Sequence, residues 1–141
     1  MFDYYPKLTV VGAGPGELDL ITVKGVKALR SAGVVLYDHG VNETLLLEYA
    51  PMAVKVFVGK RRRQEALSQE DVNELVVEYA EKYGHVVRLK SHDSPDAAEI
   101  GYAQSRGLQV EYVPGVTNWL GAMPEIPPKE FTSSLTKAKL N

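Results

Sequence analysis

Short apolar runs alternate with segments of helical period along this chain, and that alternation restricts the fold more than any other feature. Residues 7–12, 34–37, 54–58, 85–89 and 108–113 read as buried strands. Between them the period changes. Thr22 is placed to cap a helix whose face carries Val23, Val26, Lys27, Leu29 and Arg30, closed by Gly33. Asn42 can cap a short helix with Leu45, Leu46 and Tyr49, stopped by Pro51. Ser68 and Asp71 form a capping box before Val72, Leu75, Val76, Tyr79 and Ala80, a stripe at i, i+3, i+4, i+7 and i+8. Gly84 is placed to end that helix in the left-handed conformation. A polar loop, 90–96, leads into a further helix ending near Gly107.

Strand-helix-strand units make neighbouring strands parallel, because a crossover returns the chain in the same direction. The expected fold class is therefore α/β: a mostly parallel, five-stranded sheet with flanking helices. With 141 residues, one domain is expected over 1–123, followed by an irregular tail over 124–141, where the pattern decays around Pro127-Pro128.

Composition narrows the function classes. A formal charge of −2 provides no global basic field for nucleic acid. No apolar run approaches the roughly 18 residues of a membrane span, so no membrane role is expected. There is no cysteine, which excludes disulfides and thiolate metal sites and suits a reducing, cytoplasmic setting. The scattered histidines give no metal-ligand spacing, so no metal site is expected.

In open α/β sheets, ligands bind beyond the C-terminal ends of the strands, and four loops leave such ends with unusual chemistry. The first is Val11-Gly12-Ala13-Gly14-Pro15-Gly16. Its G-x-G-x-G spacing lacks the third glycine of a dinucleotide fingerprint, since Glu17 stands there. Residues 17–21 also intervene before Thr22, whereas a pyrophosphate needs the helix N-terminus close by. A dinucleotide site, a methyltransferase-type loop and a plain turn all remain open from spacing alone. The second loop holds Asp38 and His39: Asp38 could bind a ribose, accept a proton or simply make a turn, and His39 reads as a surface residue. The third, Gly59-Lys60-Arg61-Arg62-Arg63, is either a solvated charge run or a clamp for carboxylates or phosphates. The fourth, Lys90-Ser91-His92-Asp93-Ser94-Pro95, suggests a dyad with a serine, but no G-x-S-x-G elbow supports a triad.

The order of these blocks is more specific than any one of them. VGAGPG, then Leu20-Ile21-Thr22-Val23-Lys24-Gly25, VVLYD, VGKRR with a downstream SQEDVN, VVRLK and VEYVPGVT follow one another. Over roughly residues 7 to 120 this resembles the tetrapyrrole methylases, most closely the uroporphyrinogen-III C-methyltransferase type. The resemblance implies methyl transfer from S-adenosylmethionine to carbons of a tetrapyrrole, on the route to sirohaem and cobalamin. It implies a homodimer of two-domain chains with the cofactor in the cleft between domains.

By the same resemblance Asp38 is the catalytic residue. Gly14, Pro15 and Gly16 line the substrate side of the cleft, and Lys60, Arg61 and Arg62 meet substrate carboxylates. Ser91, His92, Asp93, Thr117 and Asn118 fall at cofactor-binding positions. The family's fourth loop reads like GGDP, so Ser91 and His92 put side chains where glycines allow close approach. The family's second domain is expected to be absent from this chain. The alternative expectation is a non-catalytic module of the same fold that binds a tetrapyrrole or a partner.

Overall fold

The protein was analysed as a computed structural model, which describes residues 5–59, 67–91 and 96–116. Five strands form one sheet: β1 (Lys7–Gly12), β2 (Val34–Tyr37), β3 (Val54–Phe57), β4 (His85–Lys90) and β5 (Gln109–Val113). The spatial order is β3-β2-β4-β1-β5, and every pairing is parallel. The expected α/β class is borne out.

Helices α1 (Val23–Ser31) and α2 (Glu43–Tyr49) cover one face; α3 (Gln69–Tyr83) and α4 (Ala97–Ser105) cover the other. The strand alternation divides the core accordingly. Val11, Val35, Val87 and Leu89 pack with Leu29, Leu45 and Leu46 on the first side. Leu8, Val10, Val34, Leu36 and Val86 pack with Val72, Val76, Ala80 and Ala103 on the second. Each leucine buried this fully stabilises the fold by about 1.5–3 kcal/mol relative to exposure.

The caps follow the sequence closely. Thr22 Oγ1 accepts from Gly25 N at 3.0 Å, Asn42 Oδ1 from Thr44 N at 3.0 Å, and Ser68 Oγ from Asp71 N at 3.0 Å. Three details differ. Asp96 is the N-cap of α4 rather than a plain loop residue, because its Oδ1 accepts from Ala98 N and Glu99 N at 3.0 and 3.2 Å. Gly84 has φ 84° but ψ −62°, so it uses glycine's positive φ without entering the left-handed helical region. Val23, read onto the mixed face of α1, is 72 % exposed. Helix α1 instead approaches the sheet at Gly25, where an added Cβ would stand 3.1 Å from both Ile21 Cγ1 and Val11 Cγ1.

At the N-terminal end of the sheet, His85 joins Thr9 and Ser31: Thr9 Oγ1 lies 2.7 Å from Nε2 and Ser31 Oγ 3.1 Å from Nδ1. Burial holds the His85 pKa below its ordinary value of 6.5 and Lys7 pushes it the same way, while the Ser31 backbone and Glu111 pull against that. Because the folded pKa is the lower one, the unfolded chain takes up the proton first. The neutral histidine's contribution is therefore complete above 6.5 and declines as pH falls toward the folded pKa. Glu111, whose pKa is lowered by Lys24 and Lys7, acts only below 4.5. The thermal midpoint should drop between about pH 7.5 and about pH 5.5, and His85→Gln should reduce that drop. Equal drops in the two proteins would contradict this.

Candidate active site

All strands point the same way, so the loops leaving β1, β2, β3, β4 and β5 share one edge of the sheet. Close contacts join them into a rim. Ala13 N donates to Lys90 O at 2.8 Å, and Val58 N to Tyr37 O at 2.9 Å. Ser91 Oγ donates to His39 O at 3.1 Å, tying the β4 loop to the β2 loop. Asn42 Nδ2 donates to Gly16 O at 2.9 Å, pinning the glycine loop to the start of α2.

The glycine loop departs from a dinucleotide site in the way its spacing suggested. After Gly16 the chain makes a short 3-10 turn over Leu18–Leu20, and α1 begins only at Val23. Gly14 and Gly16 have φ of 75° and 103°, conformations that side chains disfavour. Gly14 is buried and Pro15 is exposed, so the loop's tip faces outward. Beside it, a methyl added at Gly115 would stand 2.7 Å from Gly12 O and 3.0 Å from Gly14 N. Both neighbours are backbone and cannot swing aside. Gly115→Ala should cost about 1–3 kcal/mol and displace the β1 loop. A wild-type melting curve with unshifted amide signals at residues 12–16 would contradict that.

Asp38 lies at the end of β2, partly exposed, and does more than make a turn. Its Oδ2 is 3.2 Å from Arg88 Nη2, while its Oδ1 is buried with no hydrogen-bond partner among the described residues. Arg88 sits in the central strand β4, opposite Val10 of β1 and Leu36 of β2, and its side chain is only 7 % exposed. On its other side, Arg88 Nε lies 3.0 Å from Glu99 Oε1. That pair is close but outside hydrogen-bond alignment, so it is an ion pair and not a bidentate fork. Lys90 Nζ approaches Glu99 Oε2 at 3.6 Å, and Gln69 Nε2 donates to the same oxygen at 3.3 Å.

Among the expected site residues, Gly14, Pro15, Gly16, Asp38 and Ser91 all stand on this rim. Lys60, Arg61, Arg62, His92, Asp93, Thr117 and Asn118 lie outside the described residues. His39 is exposed, its ring edge-on to Phe57 at 5.5 Å. Sequence reasoning missed Arg88 and Glu99. The signal was available: an arginine inside the apolar run Val86-Val87-Arg88-Leu89 demands a buried acid.

A family model of the tetrapyrrole (corrin/porphyrin) methylases matches residues 7–124. The siroheme synthase of Photorhabdus laumondii is 40 % identical over 124 residues, 85 % of this chain and 26 % of that protein. The uroporphyrinogen-III C-methyltransferase of Methanocaldococcus jannaschii is 38 % identical over 124 residues, 85 % of this chain and 51 % of its own length. Among solved structures, the uroporphyrin-III C-methyltransferase of Thermus thermophilus complexed with S-adenosylhomocysteine superposes with a TM-score of 0.69 at 36 % identity. That match covers 86 % of this chain and 54 % of the other. The chain thus spans between about a quarter and half of the length of these relatives.

Proposed function

The chain belongs to the tetrapyrrole methylase family, and on that premise we propose that it supplies the Asp38-bearing half of an S-adenosylmethionine-dependent C-methyltransferase acting on uroporphyrinogen III. The observation that carries this reading is Asp38 itself. It stands at the C-terminal edge of a parallel sheet with one oxygen held by Arg88 and the other left without a partner among the described residues. An acceptor held this way suits the N–H of a pyrrole, or a proton in transit.

Of the residues expected at the cofactor, Ser91 lies among the described residues and stands on the rim. The β1, β2 and β4 loops are tied together by Ala13 N to Lys90 O, Asn42 Nδ2 to Gly16 O and Ser91 Oγ to His39 O, and the Asp38 carboxylate stands on the same rim. When bound, S-adenosylmethionine supplies an electrophilic methyl group to the ring carbon. What the protein must add is placement of the two carbons and exclusion of water. Ser91, with His92, Asp93, Thr117 and Asn118, would hold the cofactor. Gly14, Pro15 and Gly16 would border the tetrapyrrole, while Lys60, Arg61 and Arg62 would pair with its carboxylates, for which guanidinium forks are suited. Asp38 would orient the ring and manage the proton released as the ring carbon is methylated. The working form would be a cytoplasmic homodimer.

Calorimetric titration with S-adenosylhomocysteine tests the cofactor half of this reading. The chain combined with the half of the Methanocaldococcus enzyme that it does not match should bind in the micromolar range, as expected once both sides of a cleft cover the ligand. Absence of binding by a folded assembly would sink it.

A further inference from the structure

Glu99 is a nearly sealed acid, 1 % exposed, on α4. Neutralising Arg88 does not by itself require it, since Asp38 already faces the guanidinium at 3.2 Å. What Glu99 adds is a second fixed point. Its backbone is held by the Asp96 cap at 3.2 Å, and its carboxylate is met by Arg88 at 3.0 Å, Lys90 at 3.6 Å and Gln69 at 3.3 Å. A guanidinium is planar, so the Glu99 charge 3.0 Å from its Nε edge draws that edge toward α4 without an aligned hydrogen bond and thereby biases the direction of its Nη groups. One of those groups, Nη2, reaches Asp38 Oδ2.

We propose that Glu99 is a positioning residue: through Arg88 it holds the Asp38 carboxylate in one orientation, with Oδ1 turned away from the arginine and left for a ligand. The role of Asp38 rests on the function proposed above; the mechanical link from α4 to the β2 loop does not.

The test uses the full chain labelled with carbon-13 and nitrogen-15. Glu99→Gln keeps the shape of the side chain and removes its charge. It should shift the Asp38 side-chain carboxyl signal and the His39 amide, while amides around Leu29 and Leu45 on the opposite face stay in place. Shifts confined to α4 and β4 would overturn the proposal. Should Glu99→Gln fail to fold, Asp38→Asn tests the link from the other end. It should move the Gln69 side-chain amide through Arg88 and Glu99, and an unmoved Gln69 signal would overturn it.

In a methyl-transfer assay of the chain completed as above, Glu99→Gln should lower kcat by about tenfold with KM within about twofold, the pattern of lost orientation. Retained kcat with a raised KM would contradict positioning. If the unsubstituted assembly transfers no methyl group, the function proposal fails, and the spectroscopic arms still decide the link.

Discussion

Asp38→Asn should lower methyl transfer to uroporphyrinogen III by about 100-fold or more, the range in which positioned acid-base groups act. The substitution is nearly isosteric, so the β2 loop keeps its contacts: Val58 N to Tyr37 O and Ser91 Oγ to His39 O are independent of the side chain. What changes is the charge facing Arg88 and the unpartnered oxygen. An amide oxygen can still accept from Arg88 Nη2, but an amide carries no negative charge and is not a base. Binding of S-adenosylhomocysteine should stay within about threefold of wild type, since Asp38 is assigned to the substrate and not to the cofactor. A variant with full turnover would show that Asp38 serves the fold through Arg88 and not the reaction. One that loses cofactor affinity and turnover together would place it on the wrong ligand.

The second large effect concerns stability. Arg88→Met should destabilise the fold by about 3–5 kcal/mol, because it leaves a buried acid without its main partner. The lower end is favoured: Lys90 Nζ remains 3.6 Å from Glu99 Oε2, and Gln69 still donates to that oxygen. Adding Glu99→Leu to Arg88→Met should recover most of the loss, since apolar replacements of a buried pair are often neutral or better. Val10 and Leu36 beside Arg88 offer the apolar surroundings this needs. Chemical denaturation of the two variants reads the difference directly. Equal stability of the single and double variants would mean that Glu99 is neutralised by its other neighbours and that Arg88 carries little of the fold.

This buried pair also marks the boundary of what local sequence patterns convey. Strands and caps were legible because their causes are local. Thr22, Asn42 and Ser68 bond to amides two or three residues ahead, and the Val72–Val76–Ala80 stripe follows helical period. Strand order was not legible. That β4 lies between β2 and β1 depends on how α3 crosses back over the sheet, which no nearby residue encodes. Glu99 remained hidden for the same reason, since its partners come from β4 and the start of α3. The order of the loops pointed to Asp38 and the glycine loop, which the fold places on one rim; Arg88 stood out in its apolar run, but that it faces Asp38 on one side and Glu99 on the other came from the fold.

Transfer of a labelled methyl group tests the central claim most directly. The chain completed by the unmatched half of the Methanocaldococcus uroporphyrinogen-III C-methyltransferase is incubated with methyl-labelled S-adenosylmethionine and uroporphyrinogen III. The account predicts label in the tetrapyrrole, lost on Asp38→Asn. An assembly that folds and binds S-adenosylhomocysteine yet leaves the tetrapyrrole unlabelled would contradict it, and would leave this fold as a binding module and not a methyltransferase.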